Sequence, residues 1–148
     1  MTVVATEVWE NLTDVTITER RRLADSGGLG KYRGGTGQVT VFRNDTESVL
    51  DIALMGQRTM FAAKGFMGGG DGGLRRYAVN GSEVDGKGRY LLEPGDVITM
   101  YEAGGGGVGD PKQRESRLVA KDVAEGHVSH TAARHYYAYE GPAENEVG

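Results

Sequence analysis

The residues of this chain whose spacing could support chemistry are mostly glycines, and nucleotide binding is the chemistry they suggest first. Gly81 to Lys87 match the spacing G-x-x-x-x-G-K of a phosphate-binding loop. The next residue of such a loop is a Ser or Thr that binds Mg²⁺, and here it is Gly88. A phosphate loop also leads into a helix, whereas residues 89–92 have an extended pattern. We therefore predict that this segment does not bind phosphate.

Two other glycine tracts match the spacing G-x-G-x-x-G of dinucleotide-binding proteins, at residues 68–73 and 104–109. In tracts this rich in glycine such a match is nearly automatic. Neither tract opens a clear helix whose N-terminus could hold a pyrophosphate. We predict that neither tract binds a dinucleotide.

The spacing of the three histidines suggests a metal site. His127, His130 and His135 follow one another closely, and Glu125 is the nearest acid. On one helix, His130 and His135 would be about 140° apart, which places them on different faces. The chain has no cysteine, so thiolate metal sites, disulfides and cysteine nucleophiles are excluded. We interpret the histidines as surface residues and leave metal binding open.

Composition restricts the classes of function further. Glycine accounts for 25 of 148 residues, about 17%, against roughly 7% in average proteins. Only three prolines are present and no G-X-Y period, which excludes a collagen helix. The net charge is -4, and three acids without a base lie in the tail from Glu140. This balance is not that of a nucleic-acid-binding protein.

The sequence also predicts where the protein resides. No apolar run approaches the roughly 18–20 residues of a membrane span. The first ten residues, MTVVATEVWE, carry acids where a secretory signal carries bases. We expect a cytoplasmic protein with no membrane contact.

The elements around the glycines are predicted to be strands first and helices last. β-branched runs indicate strands at residues 15–18, 39–42, 49–54 and 97–101. Asn80-Gly81 between apolar runs is typical of a hairpin turn. From Pro111 a helical period begins, with an apolar stripe interrupted by Asp122, a stop at Gly126 and an N-cap at Ser129 before a second helix over Thr131 to about Tyr139. The predicted fold is mainly β, with small sheets or a partial barrel, glycine-rich extended or polyproline-II segments and two short C-terminal helices.

The glycines are concentrated between Gly27 and Gly109, which hold 22 of the 25. Without Cβ atoms, extended segments can approach one another closely, so the tracts 68–73 and 104–109 are predicted to pack side by side through their backbones. Ordering such chains costs about 1–2 kcal/mol per residue, and a chain this short has little core to offset that. We therefore expect a large protein partner to order them.

Three motifs together resemble a known family. Residues 25–37 read D-S-G-G-L-G-K-Y-R-G-G-T-G, residues 92–97 read L-E-P-G-D-V, and residues 104–111 read G-G-G-G-V-G-D-P. Their order and spacing resemble the hydantoinase B/oxoprolinase family across about residues 5–139. The motif positions that we expect to pack against a partner are Asp25, Ser26, Gly27, Gly28, Gly30, Tyr32, Arg33, Gly34, Gly35, Gly37, Gly104, Gly105, Gly106, Gly107, Gly109, Asp110 and Pro111.

The resemblance implies a subunit rather than a whole enzyme. Family members are much longer, and this chain resembles their C-terminal module. It begins with Met and ends with its own tail, which leads us to expect a separately encoded piece, with one module at residues 1–139 and an acidic flexible tail at residues 140–148. Its partners would be larger hydantoinase A-like and hydantoinase B-like subunits.

The resemblance also implies a reaction logic. In this family ATP phosphorylates an amide or enolate oxygen, or bicarbonate, and the activated species is then hydrolysed or carboxylated. ATP and Mg²⁺ would be bound by the hydantoinase A-like partner, with no biotin and no cofactor bound by this chain. If the glycine loops reach the active site, their backbone N–H groups at residues 27–37 and 104–109 could form an anion-binding nest. We assign no catalytic residue.

Three functions follow from these expectations. The first is a small accessory subunit of an ATP-dependent carboxylase of an aromatic ketone, which is not catalytic by itself. The second, within the same family, is a subunit of an ATP-dependent hydrolase of cyclic amides such as hydantoins or oxoproline. The third is a β-rich binding module without a part in catalysis.

Overall fold

The structure is a computed structural model that describes residues 15–141. In that range the chain forms seven β-strands, one 3-10 turn and two α-helices. Their bounds are β1 Val15–Arg22, β2 Gln38–Asn44, β3 Leu50–Met55, β4 Arg76–Val79, β5 Ser82–Val84, β6 Lys87–Leu92, β7 Val97–Tyr101, the 3-10 turn Pro111–Gln113, α1 Ser116–Ala124 and α2 His130–Tyr137. Residues 142–148 of the predicted acidic tail lie outside the described residues, so the boundary at residue 139 stays a prediction.

The chain divides into two units, each built from three separate stretches. The first unit contains the strands and comprises Gln38–Thr59, Arg75–Glu102 and the described part of Met1–Arg21. The second comprises Arg22–Gly37, Met60–Leu74 and the described part of Ala103–Gly148, which includes both helices. No helix between residues 15 and 141 has the length and apolar character that crossing a bilayer requires.

The first unit consists of two small antiparallel sheets. One sheet has the strand order β1-β2-β7-β4-β5, and the other pairs β3 with β6. A buried cluster contains residues from both sheets: Leu54 and Leu92 from the small one, Tyr77 and Ile98 from the large one. Neither described sheet closes into a barrel. The predicted mainly β fold with small sheets and two short C-terminal helices is confirmed.

The hairpin predicted at Asn80-Gly81 joins β4 to β5. Asn80 has φ 49° and Gly81 has φ 81°, the positive values that a two-residue hairpin turn of this type requires. Val79 pairs with Ser82 directly across the turn. The G-x-x-x-x-G-K spacing therefore runs through a turn and strands β5 and β6, and no helix follows Lys87, as the sequence indicated.

The second unit contains the two helices in the predicted places. Helix α1 ends at Ala124, and Gly126 has φ 70°, which stops it as expected. The Ser129 hydroxyl accepts a hydrogen bond from the Ala132 N–H (3.1 Å) and caps α2. The second helix ends at Tyr137 rather than near Tyr139, because Ala138 adopts a left-handed conformation. The buried hydrophobic cluster of this unit consists of Val119, Val128, Ala132, Ala133 and Tyr137.

Candidate interaction site

The tract 68–73 lies against the first glycine motif through regularly spaced backbone hydrogen bonds. The Gly73 N–H donates to the Ser26 carbonyl and the Gly70 N–H donates to the Leu29 carbonyl, both at 2.7 Å. The donors are three residues apart, and so are the acceptors. A β-ladder repeats every two residues, so this contact is not a sheet.

The tract 104–109 repeats the same spacing on another side of the tract 68–73. The Gly104 N–H donates to the Gly73 carbonyl (3.1 Å), and the Gly107 N–H donates to the Gly70 carbonyl (2.9 Å). Three residues per turn is the period of a polyproline-II helix. The two glycine tracts therefore pack side by side through their backbones, as predicted, in the manner of polyproline-II segments.

Side chains are sterically excluded from most of these contacts. A Cβ atom built on any of the following glycines would lie within 3.0 Å of a backbone atom of a neighbouring segment: Gly27, Gly28, Gly30, Gly34, Gly65, Gly69, Gly72, Gly104, Gly106 and Gly107. Gly35 is an exception, since nothing lies within 4 Å of its Cβ position. The chain itself thus supplies the close neighbours that explain its glycines. Packing of the motif positions against a larger partner stays a prediction.

Many N–H groups of the predicted anion nest donate within the chain. The following N–H groups of the two motifs donate to oxygen atoms of this chain: Gly28, Gly34, Gly37, Gly104, Gly105, Gly107 and Gly109. A nest requires successive N–H groups that converge on an anion. The N–H groups named above therefore hold the segments together, and the anion nest stays a prediction.

Asp25 and Ser26 fasten the start of the first motif. The Ser26 hydroxyl donates to the Leu23 carbonyl and accepts from the Gly37 N–H (2.7 Å), which closes the loop on itself. Asp25 has φ 58°, and its carboxylate accepts from the Ser129 N–H (2.8 Å) at the beginning of α2. Asp25 therefore positions the second helix rather than acting as a reactive acid.

A buried ion cluster joins the same motif to the first helix. The Asp122 carboxylate lies 3.2 Å from Arg33 Nε and 2.8 Å from Arg114 Nη2. All three side chains are at most 15% exposed. Arg114 Nη1 also donates to the Lys31 carbonyl (2.9 Å). Of these residues only Arg33 was predicted as a site residue. The signal for Asp122 was its position within an apolar helical stripe, where a charge needs a partner.

Burial and ion pairing shift two pKa values in this unit. Burial raises the pKa of the Tyr137 phenol, against a smaller lowering effect of the Gly30 backbone and the Arg114 charge. The Lys64 ammonium and the Gly65 N–H donate hydrogen bonds that lower the pKa of Asp71. Neither shift creates a group poised to exchange protons near neutral pH.

The remaining motif positions complete the local structure. The Asp110 carboxylate accepts from the Lys112 N–H (2.9 Å) and begins the 3-10 turn, with Pro111 as its first residue. Gly109 has φ 78°, which favours glycine. Tyr32 forms an antiparallel backbone bridge with Val108, and its ring is exposed.

His127 is mostly buried, which corrects its interpretation as a surface residue. Its ring nitrogens lie 3.1 Å from Arg22 Nη1 and 3.5 Å from the Thr36 hydroxyl, and Nε2 lies 3.3 Å from the Glu125 carboxylate. His135, on α2, is exposed as predicted. Within the described part of the chain, no three His, Asp or Glu side chains are grouped as a metal ion would require.

A cavity of about 660 Å³ opens between the glycine segments and α2. Its walls include the Leu29 and Tyr136 side chains and the Asp25, Asp71 and His135 polar groups. Asp25 and Asp71 are already bonded to Ser129 and Lys64, so the polar groups of the cavity mostly serve the fold.

Comparison with known sequences gives matches over most of the chain. The sequence profile described as Hydantoinase B/oxoprolinase matches residues 1–111. An uncharacterized protein of Methanocaldococcus jannaschii is 33% identical over 135 residues. The caprolactamase subunit beta of Pseudomonas jessenii is 30% identical over 140 residues. The acetone carboxylase alpha subunit of Xanthobacter autotrophicus is 25% identical over 169 residues. Each match covers 88% of this chain, which spans only 22–24% of these relatives.

Two solved structures share the fold. A nucleotide-free acetone carboxylase, described in a study of ATP-dependent acetone carboxylation, superposes with a TM-score of 0.73 over 92% of this chain. The ATP-dependent caprolactamase from Pseudomonas jessenii superposes with a TM-score of 0.76 over 90% of it. Both are 24% identical to this chain, which corresponds to 23–24% of their length.

Proposed function

Because the chain belongs to the hydantoinase B/oxoprolinase family, we propose that it is an accessory module of a multi-subunit ATP-dependent enzyme. The family match over residues 1–111 is the observation that carries this proposal. The finer proposal is a small subunit of an acetophenone carboxylase-type enzyme, which would use ATP and bicarbonate to carboxylate an aromatic ketone. Its partners would be hydantoinase A-like and hydantoinase B-like subunits in the cytoplasm.

The role of this chain in that enzyme is assembly. Many N–H groups of its glycine segments donate to oxygen atoms of the same chain, and the Asp122 carboxylate is paired with two arginines. This supports a rigid module whose contribution is shape rather than reactive groups. ATP and Mg²⁺ belong on the hydantoinase A-like partner, and the family logic of phosphorylated intermediates requires no biotin.

One observation favours a second candidate, a subunit of an ATP-dependent amide hydrolase. The caprolactamase subunit beta is 30% identical to this chain, against 25% for the acetone carboxylase alpha subunit. In a hydrolase, water would attack the activated amide carbon. In a carboxylase, the α-carbon of the ketone's enolate would attack the carboxyl carbon of the activated bicarbonate, and phosphate would leave. Both reactions place this chain in the same kind of complex.

Capture from the cells that produce the protein tests the assembly. The tagged chain should bring down two larger chains, one with a nucleotide-binding hydantoinase A-like sequence. The variant Gly104→Ala, whose Cβ would collide with the Ser26 backbone, should not capture them. A monomer that captures neither chain would refute the proposal and favour a binding module outside catalysis.

The captured complex then decides between the two reactions. ATP hydrolysis should rise with acetophenone plus bicarbonate and not with either alone, since carboxylation consumes both. Stimulation by caprolactam or a hydantoin without bicarbonate would identify the amide hydrolase instead. The product confirms the assignment, because carboxylation fixes ¹³C-bicarbonate into an acid whereas hydrolysis opens the ring.

A further inference from the structure

Three apolar side chains lie next to one another on the outside of the glycine segments. Tyr32 forms an antiparallel backbone bridge with Val108, and Phe66 forms a parallel bridge with the same residue. Directly paired residues project their side chains from the same face. The two aromatic rings therefore flank Val108, and each ring residue is 66% exposed.

A fourth exposed apolar residue follows Phe66 directly in the chain and has an unfavourable backbone conformation. Met67 occupies the turn between Phe66 and Gly69, where the Gly69 N–H donates to the Phe66 carbonyl (3.0 Å). Its φ is 51°, in the left-handed region, and its side chain is 73% exposed. The left-handed conformation is roughly 1–2 kcal/mol less favourable for most L-residues, whereas Gly and Asn adopt it more readily. The turn by itself would favour Gly or Asn at this position, so an exposed methionine here motivates the search for a role of its side chain.

The size of the face is that of an interaction surface. We call Tyr32, Phe66, Met67 and Val108 the apolar patch. At about 150–250 Å² for each large side chain and the exposed fractions above, the apolar patch presents roughly 400 Å². Patches of this size on a monomer are often functional, and it would form half of one side of a standard interface of about 800 Å² per partner.

We propose that the apolar patch docks onto the hydantoinase B-like subunit, on the part of that polypeptide for which this chain has no counterpart. This inference rests on the proposed function. The chain spans about a quarter of the length of its relatives. In those relatives the matching segment belongs to the same polypeptide as the other three quarters. A separate subunit that resembles those three quarters is therefore the protein whose surface should fit this chain. The partner surface should be apolar with an acidic group at its rim, because Lys31 Nζ lies 5.9 Å from the Tyr32 ring centroid and brings its charge to that border.

The test uses the purified hydantoinase B-like subunit identified by capture, with binding measured by calorimetry. The triple variant Tyr32→Ser, Phe66→Ser, Met67→Asn should weaken binding at least about thirty-fold, the effect of losing one hot-spot side chain. The matched control is Met55→Ser with Leu91→Ser, which removes two exposed apolar side chains from the first unit. The control should bind within threefold of the original chain.

The single variant Met67→Asn keeps the proposal falsifiable if the triple variant unfolds. Asn tolerates positive φ better than Met, so its thermal midpoint should not fall while its affinity drops several-fold. Unchanged affinity in both patch variants would overturn the inference and leave the proposed function standing, whereas failure of the original chain to bind would refute both. Equal weakening by the control, or self-association of the original chain abolished by the patch variants, would also overturn it.

Discussion

Replacing Gly34 with alanine should show whether steric packing accounts for the glycine motif. Its neighbour Gly35 provides the matched control, because both lie in the same loop and neither has a positive φ. A Cβ on Gly34 would lie within 3.0 Å of the Gly105 carbonyl and the Gly28 nitrogen. A Cβ on Gly35 would meet nothing within 4 Å.

The expected cost follows from the contacts that must open. Inserting a methyl group into a closely packed site costs about 1–3 kcal/mol. The same movement stretches the hydrogen bond from the Gly34 N–H to the Gly28 carbonyl, 2.8 Å long, which is worth about 1 kcal/mol. Together the two effects should lower the free energy of unfolding by about 3 kcal/mol, which lowers the unfolding midpoint of a chain this size by about 6–12 °C. Gly35→Ala should change it by less than about 3 °C, since removing a glycine also restricts the unfolded chain.

Thermal unfolding followed by circular dichroism measures both variants under one set of conditions. Steric packing predicts a higher unfolding midpoint for Gly35→Ala than for Gly34→Ala. Equal midpoints for the two variants would refute it, and so would a Gly34→Ala midpoint within about 2 °C of the original chain, well below the shift expected for a cost of this size.

Three further outcomes are expected. Gly106→Val should lose partner binding through loss of its own fold, because its Cβ would meet the Lys64 backbone; normal circular dichroism without partner binding would contradict this. Asp122→Asn should lower stability in urea by about 3–5 kcal/mol, because two buried arginines lose their counter-charge; an unchanged urea midpoint would count against the cluster. Burial raises the pKa of Tyr137 above its usual value of 10.0, so its contribution to stability is complete below about pH 10 and is lost as pH rises through the raised value. Tyr137→Phe should therefore flatten the loss of stability above about pH 10, and a slope equal to that of the original chain would refute the assignment.

Local patterns were sufficient for elements whose conformation depends on a few adjacent residues. Asn80-Gly81 predicted its hairpin because both residues tolerate positive φ, and Ser129 predicted the start of α2 because its hydroxyl caps the helix. The motif residues predicted the family for a similar reason, since a string of glycines and fixed polar residues is recognisable without knowing its contacts.

Contacts between distant segments could not be predicted in this way. The side-by-side packing of residues 68–73 and 104–109 was anticipated, but its three-residue period and its third segment at Ser26 and Leu29 were not. Backbone N–H and carbonyl groups are the same in every residue, so the sequence does not indicate which ones pair. The expectation that a partner orders these tracts stays a prediction.

The sequence by itself determined the β-rich class, the two capped helices, the absence of cysteine chemistry and the family, because these depend on residue type and spacing. Tertiary structure decided that Asp122 pairs with two arginines, that most motif glycines are enclosed by their own chain, and that Tyr32 and Phe66 lie beside Val108. The physical reason is that burial and pairing arise only when segments far apart in sequence meet.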